Sequence, residues 1–207
     1  METMTTSIIL PFLVFFPFLG AVISYIIGRS NKGARDIWCW ILSAVIFIAS
    51  LMLIGKETVY SLRGFCGLGL SFAADGFGVI LAVLTGAIWL ITTIFSKEYM
   101  AAERNRNRYY FFVFLTLGAT MGIFLSADLF TTFIFFEIMS FTSFVLVMHD
   151  EEDFTVRSAK TYLAVAVIGG LVTLMGLFMM YQKAGTLNMA EPVSYTHLRA
   201  HETELHL

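Results

Sequence analysis

The sequence predicts an all-α membrane protein, a polytopic bundle of about six transmembrane helices with its N-terminus outside, and three observations carry that expectation. Composition is the first: 58% of the 207 residues are hydrophobic and 14% charged, with mean hydropathy +0.80, where a soluble domain carries roughly a quarter charged residues. The second is a set of six long apolar runs. The third is the alternation of basic and non-basic segments between them.

The runs are Ile8 to Gly28, Ile37 to Gly55, Phe77 to Phe95, Tyr109 to Leu125, Leu129 to Met148, and Ala159 to Tyr181. Each approaches or exceeds the roughly 20 residues that a helix needs to cross about 30 Å of hydrocarbon. They are too long for barrel strands, and a backbone in lipid must satisfy its own hydrogen bonds, which leaves helices. Segments after runs one, three and five hold Arg29, Lys32, Arg35, then Lys97, Arg104, Arg106, Arg108, then Arg157 and Lys160. The opposite side holds only Lys56, Arg63 and Lys183. Basic loops stay cytoplasmic, which puts the N-terminus outside and the chain in the cell membrane as a multi-pass protein. Trp38, Trp40, Tyr99, Tyr109 and Tyr110 are expected at the inner interface, where amphipathic rings collect.

The first run is not a secretory signal, because Glu2 precedes it and its positive charges follow it. Pro11 and Pro17 predict a bend within it. Cys39 and Cys66 fall a membrane thickness apart and are not expected to pair. The net charge of −2 gives no basic surface for nucleic acid, and no phosphate-binding glycine loop is present.

Residues 1–191 read as the transmembrane part. After Pro192 the composition changes abruptly, and three of the chain's four histidines, His197, His201 and His206, fall within ten residues. His197 and His201 have the spacing of a helical metal pair, with Glu202 beside them. The string nevertheless resembles translated adapter read-through, so 192–207 is expected to be a non-native tail. No metal and no cofactor is expected.

Within the membrane the informative residue is Glu137. An ionisable group at mid-bilayer costs at least roughly 2.5–3.5 kcal/mol and persists mainly where it works or is paired. At 1.5 Å per residue Glu137 lies about 12 Å from the outer and 16 Å from the inner end of its helix, close to the midplane. A carboxyl group there could take up and release a proton near neutral pH. The bland alternative is a glutamate that only helps two helices associate. Thr131, Thr132, Ser140, Thr142 and Ser143 on the same helix offer hydroxyls that could hold water, with Ser140 on the face of Glu137 between Phe133 and Phe144. Lys160, at the inner mouth of helix six, is too far to pair with Glu137; it either takes up protons or snorkels to the interface. Asp75 and Asp128 are expected to cap helices three and five. His149 to Asp153 reads as a cytoplasmic turn that collects protons or is simply solvated. Gly118 and Gly122 form a GxxxG that predicts close helix packing.

Three stretches carry a resemblance. Phe135-Phe136-Glu137-Ile138-Met139-Ser140, Arg157-Ser-Ala-Lys160-Thr-Tyr-Leu and Tyr181-Gln-Lys-Ala-Gly-Thr-Leu-Asn resemble the antiporter-like membrane subunits of complex I (NADH-quinone oxidoreductase), of energy-converting hydrogenases and of Mrp-type sodium/proton antiporters. Asp75-Gly-Phe-Gly resembles the pair that opens helix three in that family. The resemblance implies a proton-translocating subunit of about fourteen helices in two inverted repeats, of which this chain would be the N-terminal part. It implies Glu137 as a proton relay, switched by a lysine further along, with redox chemistry on other subunits. Implied partners are the lipid bilayer, other membrane subunits of a multi-subunit complex, and protons, with sodium left open; nucleic acid is not a partner. An Mrp-type cation/proton antiporter subunit and a non-transporting membrane anchor are the alternatives.

Overall fold

The computed structural model describes residues 5–62, 64, 69–103 and 105–189. Six helices follow one another: α1 (Ile9–Ser30), α2 (Lys32–Leu51), α3 (Gly76–Tyr99), α4 (Arg106–Phe124), α5 (Leu129–Val147) and α6 (Asp153–Ala184). Three short strands accompany them, β1 (Thr5–Thr6), β2 (Thr58–Leu62) and β3 (Leu70–Ala74). All six apolar runs are helices.

The boundaries differ where capping, not hydropathy, decides. Helix α2 begins five residues before its apolar run, because Asn31 both ends α1 and caps α2. Its backbone N–H donates to Ile27 O at 2.8 Å and its side chain accepts from Ala34 N at 3.1 Å. A single residue thus joins two spans, and Arg35 and Asp36 lie inside a helix instead of in a loop. Helix α6 has 32 residues, about 48 Å, so its charged first turns, Asp153 to Lys160, extend beyond any hydrocarbon core.

Five helices, α1, α2, α3, α5 and α6, are long and apolar enough to cross a membrane. The exception, α4, has 19 residues and is of similar length, but it opens on Arg106-Asn-Arg108 and carries threonines and glycines inside. Its position explains this. A helix surrounded by other helices packs through small and hydroxylated residues and has no lipid to face, and Phe114, Thr116, Leu117, Gly118, Ala119, Thr120, Met121 and Gly122 are all buried. A Cβ at Gly118 would lie 2.6 Å from the Phe18 ring of α1, and one at Gly122 would collide with the Phe135 ring of α5. The GxxxG therefore brings α4 against both neighbours.

The strands were not foreseen. β1 pairs in parallel with β2, and β2 antiparallel with β3 in the register Tyr60 to Phe72. The sheet captures the linker between α4 and α5: Ala73 N donates to Leu125 O and Ala127 N to Ser71 O, both at 2.8 Å. Leu129 N donates to Leu187 O at 3.0 Å, which ties in the segment after α6. At the opposite end the start of α4 meets the start of α2, through Arg35 and Asn107, and the turn before α6, through Arg108 and His149 O at 2.8 Å. The six helices therefore run alternately up and down between a sheet end and a basic end.

Arg29, Lys32, Lys97, Arg106, Arg108, Arg157 and Lys160 gather at the basic end, whereas Lys56 and Lys183 lie at the sheet end; Arg63 and Arg104 lie outside the described residues. The positive-inside rule makes the basic end cytoplasmic. Single cysteines at Asn105 and Lys56, in a chain with Cys39 and Cys66 replaced by alanine, should react with an impermeant thiol reagent from opposite faces of the membrane. Labelling of both from one face would overturn the topology.

The aromatic belt is only partly realised. Trp38 Nε1 donates to Gly20 O at 3.1 Å and Trp40 Nε1 to Thr93 O at 3.2 Å, so both indoles cross-link helices. Tyr110 is fully buried, beneath the Arg35 guanidinium at 4.7 Å. Because α2 starts early, these rings fall deeper than their distance from the apolar runs suggests. Cys39 is buried and free; Cys66 lies outside the described residues.

Candidate functional site

Helix α5 is positioned from its sheet end. Asp128, in an extended conformation, accepts from Thr131 N at 2.7 Å through Oδ1 and from Thr131 Oγ1 at 2.6 Å through Oδ2, satisfying a helix donor that would otherwise be orphaned. Thr131 Oγ1 in turn accepts from Ser71 N at 3.0 Å, which fastens α5 to β3. Asp75 caps α3 in the same way, through Gly78 N at 2.9 Å. With its start fixed, α5 carries Glu137 to the ninth of 19 positions, about 12 Å along the axis.

There the Glu137 side chain lies on α6. A Cβ at Gly170 would stand 2.8 Å from Glu137 Cδ and 2.9 Å from Oε2, so the carboxyl group occupies the volume that any other residue at 170 would fill. Gly170 is buried, one of two buried positions along α6. Glu137 is half-buried, and its Oε1 is buried without a hydrogen-bond partner among the described residues. A buried carboxyl oxygen left unsatisfied is costly. The expected approach of a helix-six backbone to this carboxyl is present.

The expected hydroxyls are not. Ser140 Oγ donates to Phe136 O at 3.0 Å, and Thr142 Oγ1 donates to Met139 O at 3.0 Å and accepts from Thr116 Oγ1 at 2.9 Å. Thr132 donates to Asp128 O at 2.9 Å and pairs with Ser126 at 2.6 Å. Hydroxyls in apolar helices return to the carbonyl one turn back whenever nothing better is near. The serine and threonine groups thus brace α4 against α5 and hold the sheet end, away from Glu137.

Lys160 is exposed on α6, ten residues from Gly170, which is about 15 Å along the axis; the structure keeps it apart from Glu137. The turn at His149 is tethered. Arg108 pairs with Glu151 and the His149 ring lies against Tyr109 at 5.8 Å. The metal pair read at His197 and His201, with Glu202 and His206, lies outside the described residues, as does the whole tail assignment from 192 onwards.

Two features escaped the sequence reading. One is Gly170, although a Gly-Gly pair inside an apolar helix costs about 1 kcal/mol per glycine relative to alanine and so signals a close approach. The other is a polar cluster at the basic end. Arg35 donates to Asp36 Oδ1 through Nε at 3.0 Å and NH2 at 2.6 Å, and through NH1 to Asn107. Arg106 reaches Asp36 Oδ2 at 3.5 Å and donates to Lys97 O at 3.1 Å. By sequence Arg35 reads as one of the loop cations. In the structure its side chain is 1% exposed.

Comparison with known proteins agrees with this architecture. A family described as NADH:quinone oxidoreductase/Mrp antiporter, transmembrane region, matches residues 126–207. Over 195 residues the chain is 29% identical to a Staphylococcus aureus protein named as an antiporter subunit, mnhD2, covering 90% of this chain and 38% of that protein. The chain thus spans just over a third of the length of the curated relatives it matches. In fold it resembles a chain of the membrane-bound sulfane sulfur reductase, an archaeal respiratory membrane complex, with TM-score 0.80 and 18% identity over 89% of this chain and 39% of that one. It also resembles a chain of the Mrp complex from Dietzia sp., with TM-score 0.74 and 21% identity over 88% of this chain and 20% of that one. Glu137 and its α6 contact both fall within the matched segment, and over that segment this multi-pass membrane chain is similar to the NADH:quinone oxidoreductase/Mrp antiporter family.

Proposed function

We propose that this chain is the N-terminal part of a proton-translocating subunit in the cell membrane and that Glu137 is its proton relay. The observation that carries the reading is a single carboxyl group at mid-helix, pressed onto a glycine of α6, with a buried oxygen that no described group satisfies. A purely structural glutamate would spend its oxygens on a neighbouring donor. This one keeps an oxygen for a proton, a water or a cation brought by another part of the protein. Lys160, exposed near the start of α6, stands at the cytoplasmic mouth of the same helix and is the candidate for proton uptake.

The subunit works among other membrane subunits in this reading. Likeness to mnhD2, named as an antiporter subunit, favours a cation/proton antiporter over a redox-driven pump; the two structural likenesses fit both. The deciding assay is proton movement in inverted vesicles carrying the full-length protein with its partner subunits. Acidification that collapses on adding sodium or another cation supports antiport, and proton uptake driven only by an electron donor supports the redox-coupled reading. Neither response, with the complex assembled, would leave a non-transporting anchor.

Gly170 gives a second test of the same site. The atoms that a Cβ would meet belong to the end of a flexible side chain, so Gly170→Ala should turn the Glu137 carboxyl away from α6 while the helices stay packed. Transport is expected to fall about tenfold, at unchanged membrane abundance. Wild-type transport in the Gly170→Ala protein would show that the carboxyl does not work in its observed position.

A further inference from the structure

The basic end holds a cavity of about 920 Å³ that the relay does not use. Its walls come from the end of α1, the start of α2, the segment before α4 and the first turns of α4. Lys32, Arg35, Arg106 and Arg108 face it, against one carboxylate, Glu103. Asp36 neutralises Arg35 from behind and reaches Arg106, and Glu151 takes Arg108. Lys32 forms no ion pair among the described residues, and the Nε atoms of Arg106 and Arg108 are buried without partners.

The local fold heightens this excess of positive charge. Helix α4 begins at Asn105, whose side chain makes no cap, and its first turn carries no acidic residue. Two arginines there oppose the helix dipole, which favours anions at an N-terminus. An anion in the cavity would offset both the unpaired Lys32 and the dipole. The remaining wall is aromatic, with Tyr25 of α1 meeting Phe111 of α4 edge to face at 5.8 Å.

We infer that this cavity binds the phosphate of an anionic phospholipid of the cytoplasmic leaflet. The chemistry shared with free phosphate is the anion held by Lys32 and Arg106. The aromatic wall, and the placing of the cavity at the helix ends where headgroups lie, select the lipid. Basic pockets between transmembrane helices on the cytoplasmic side are suited to such headgroups, and each lysine or arginine near the surface contributes about fivefold in affinity.

Native mass spectrometry of the purified full chain, loaded with phosphatidylglycerol or phosphatidylcholine, reads the site directly. Phosphatidylglycerol should be retained at least about fivefold better than phosphatidylcholine. The exposed Lys32→Gln should lower that retention about fivefold, and Lys32→Gln with Arg106→Gln about 25-fold. Lys183→Gln, at the sheet end, should leave it unchanged. Equal retention of the two lipids, an unchanged preference in Lys32→Gln, or an equal loss in Lys183→Gln would overturn the proposal. So would displacement of the lipid by millimolar inorganic phosphate, which would make the cavity a site for the free anion.

Discussion

Replacing Glu137 with glutamine is expected to lower proton translocation by the assembled full-length protein by more than tenfold, with almost no change in membrane abundance or assembly. The amide keeps the shape that rests on Gly170 and so preserves the α5–α6 contact; only the ability to carry a proton is lost. The amide also has no charged form to desolvate at a position that offers no partner, so thermal stability should hold or rise slightly. Glu137→Asp, which withdraws the carboxyl by one methylene from α6, should keep part of the activity. Vesicle acidification followed with a pH-sensitive dye, alongside a melting curve of the purified protein, separates the two roles. Wild-type rates in the glutamine variant would sink the relay reading, and a collapse of assembly would return Glu137 to the role of a helix clamp.

Asp36→Ala should be the most damaging single change at the basic end. Asp36 meets two guanidiniums, Arg35 at 2.6 Å and Arg106 at 3.5 Å, and the Arg35 side chain is buried over the Tyr110 ring. Removing one partner of a buried pair leaves an uncompensated buried charge, at a cost of about 3–5 kcal/mol. The apparent melting temperature in detergent should drop by about 6 °C or more. Arg35→Met combined with Asp36→Ala should recover much of that loss, because the charge goes with its partner. A double variant no more stable than Asp36→Ala alone would show that the cluster does not hold the two helix ends together as an ion pair.

The main outline of this protein was legible from composition and periodicity, for a physical reason. Lipid demands long apolar helices whose backbones satisfy themselves, so five helices stand out by hydropathy and the sixth, α4, as a shorter run between them. The same solvent makes a carboxyl group expensive at mid-span, which singled out Glu137, and the need to satisfy the first-turn donors made Asp75 and Asp128 readable as caps. What tertiary structure alone decided depends on contacts between distant segments. Helix α4 is less apolar because it sits among its neighbours, and only packing shows that. Arg35 looked like a loop cation until Asn31 joined α1 to α2 through a single residue and drew it inside, where Asp36 and Asn107 receive it. The hydroxyls of α5 looked like partners for Glu137, yet nearby carbonyls and Thr116 claim them. Gly170, 33 positions further along the chain, acquires meaning only when α6 returns beside α5 and leaves room there for one carboxyl group.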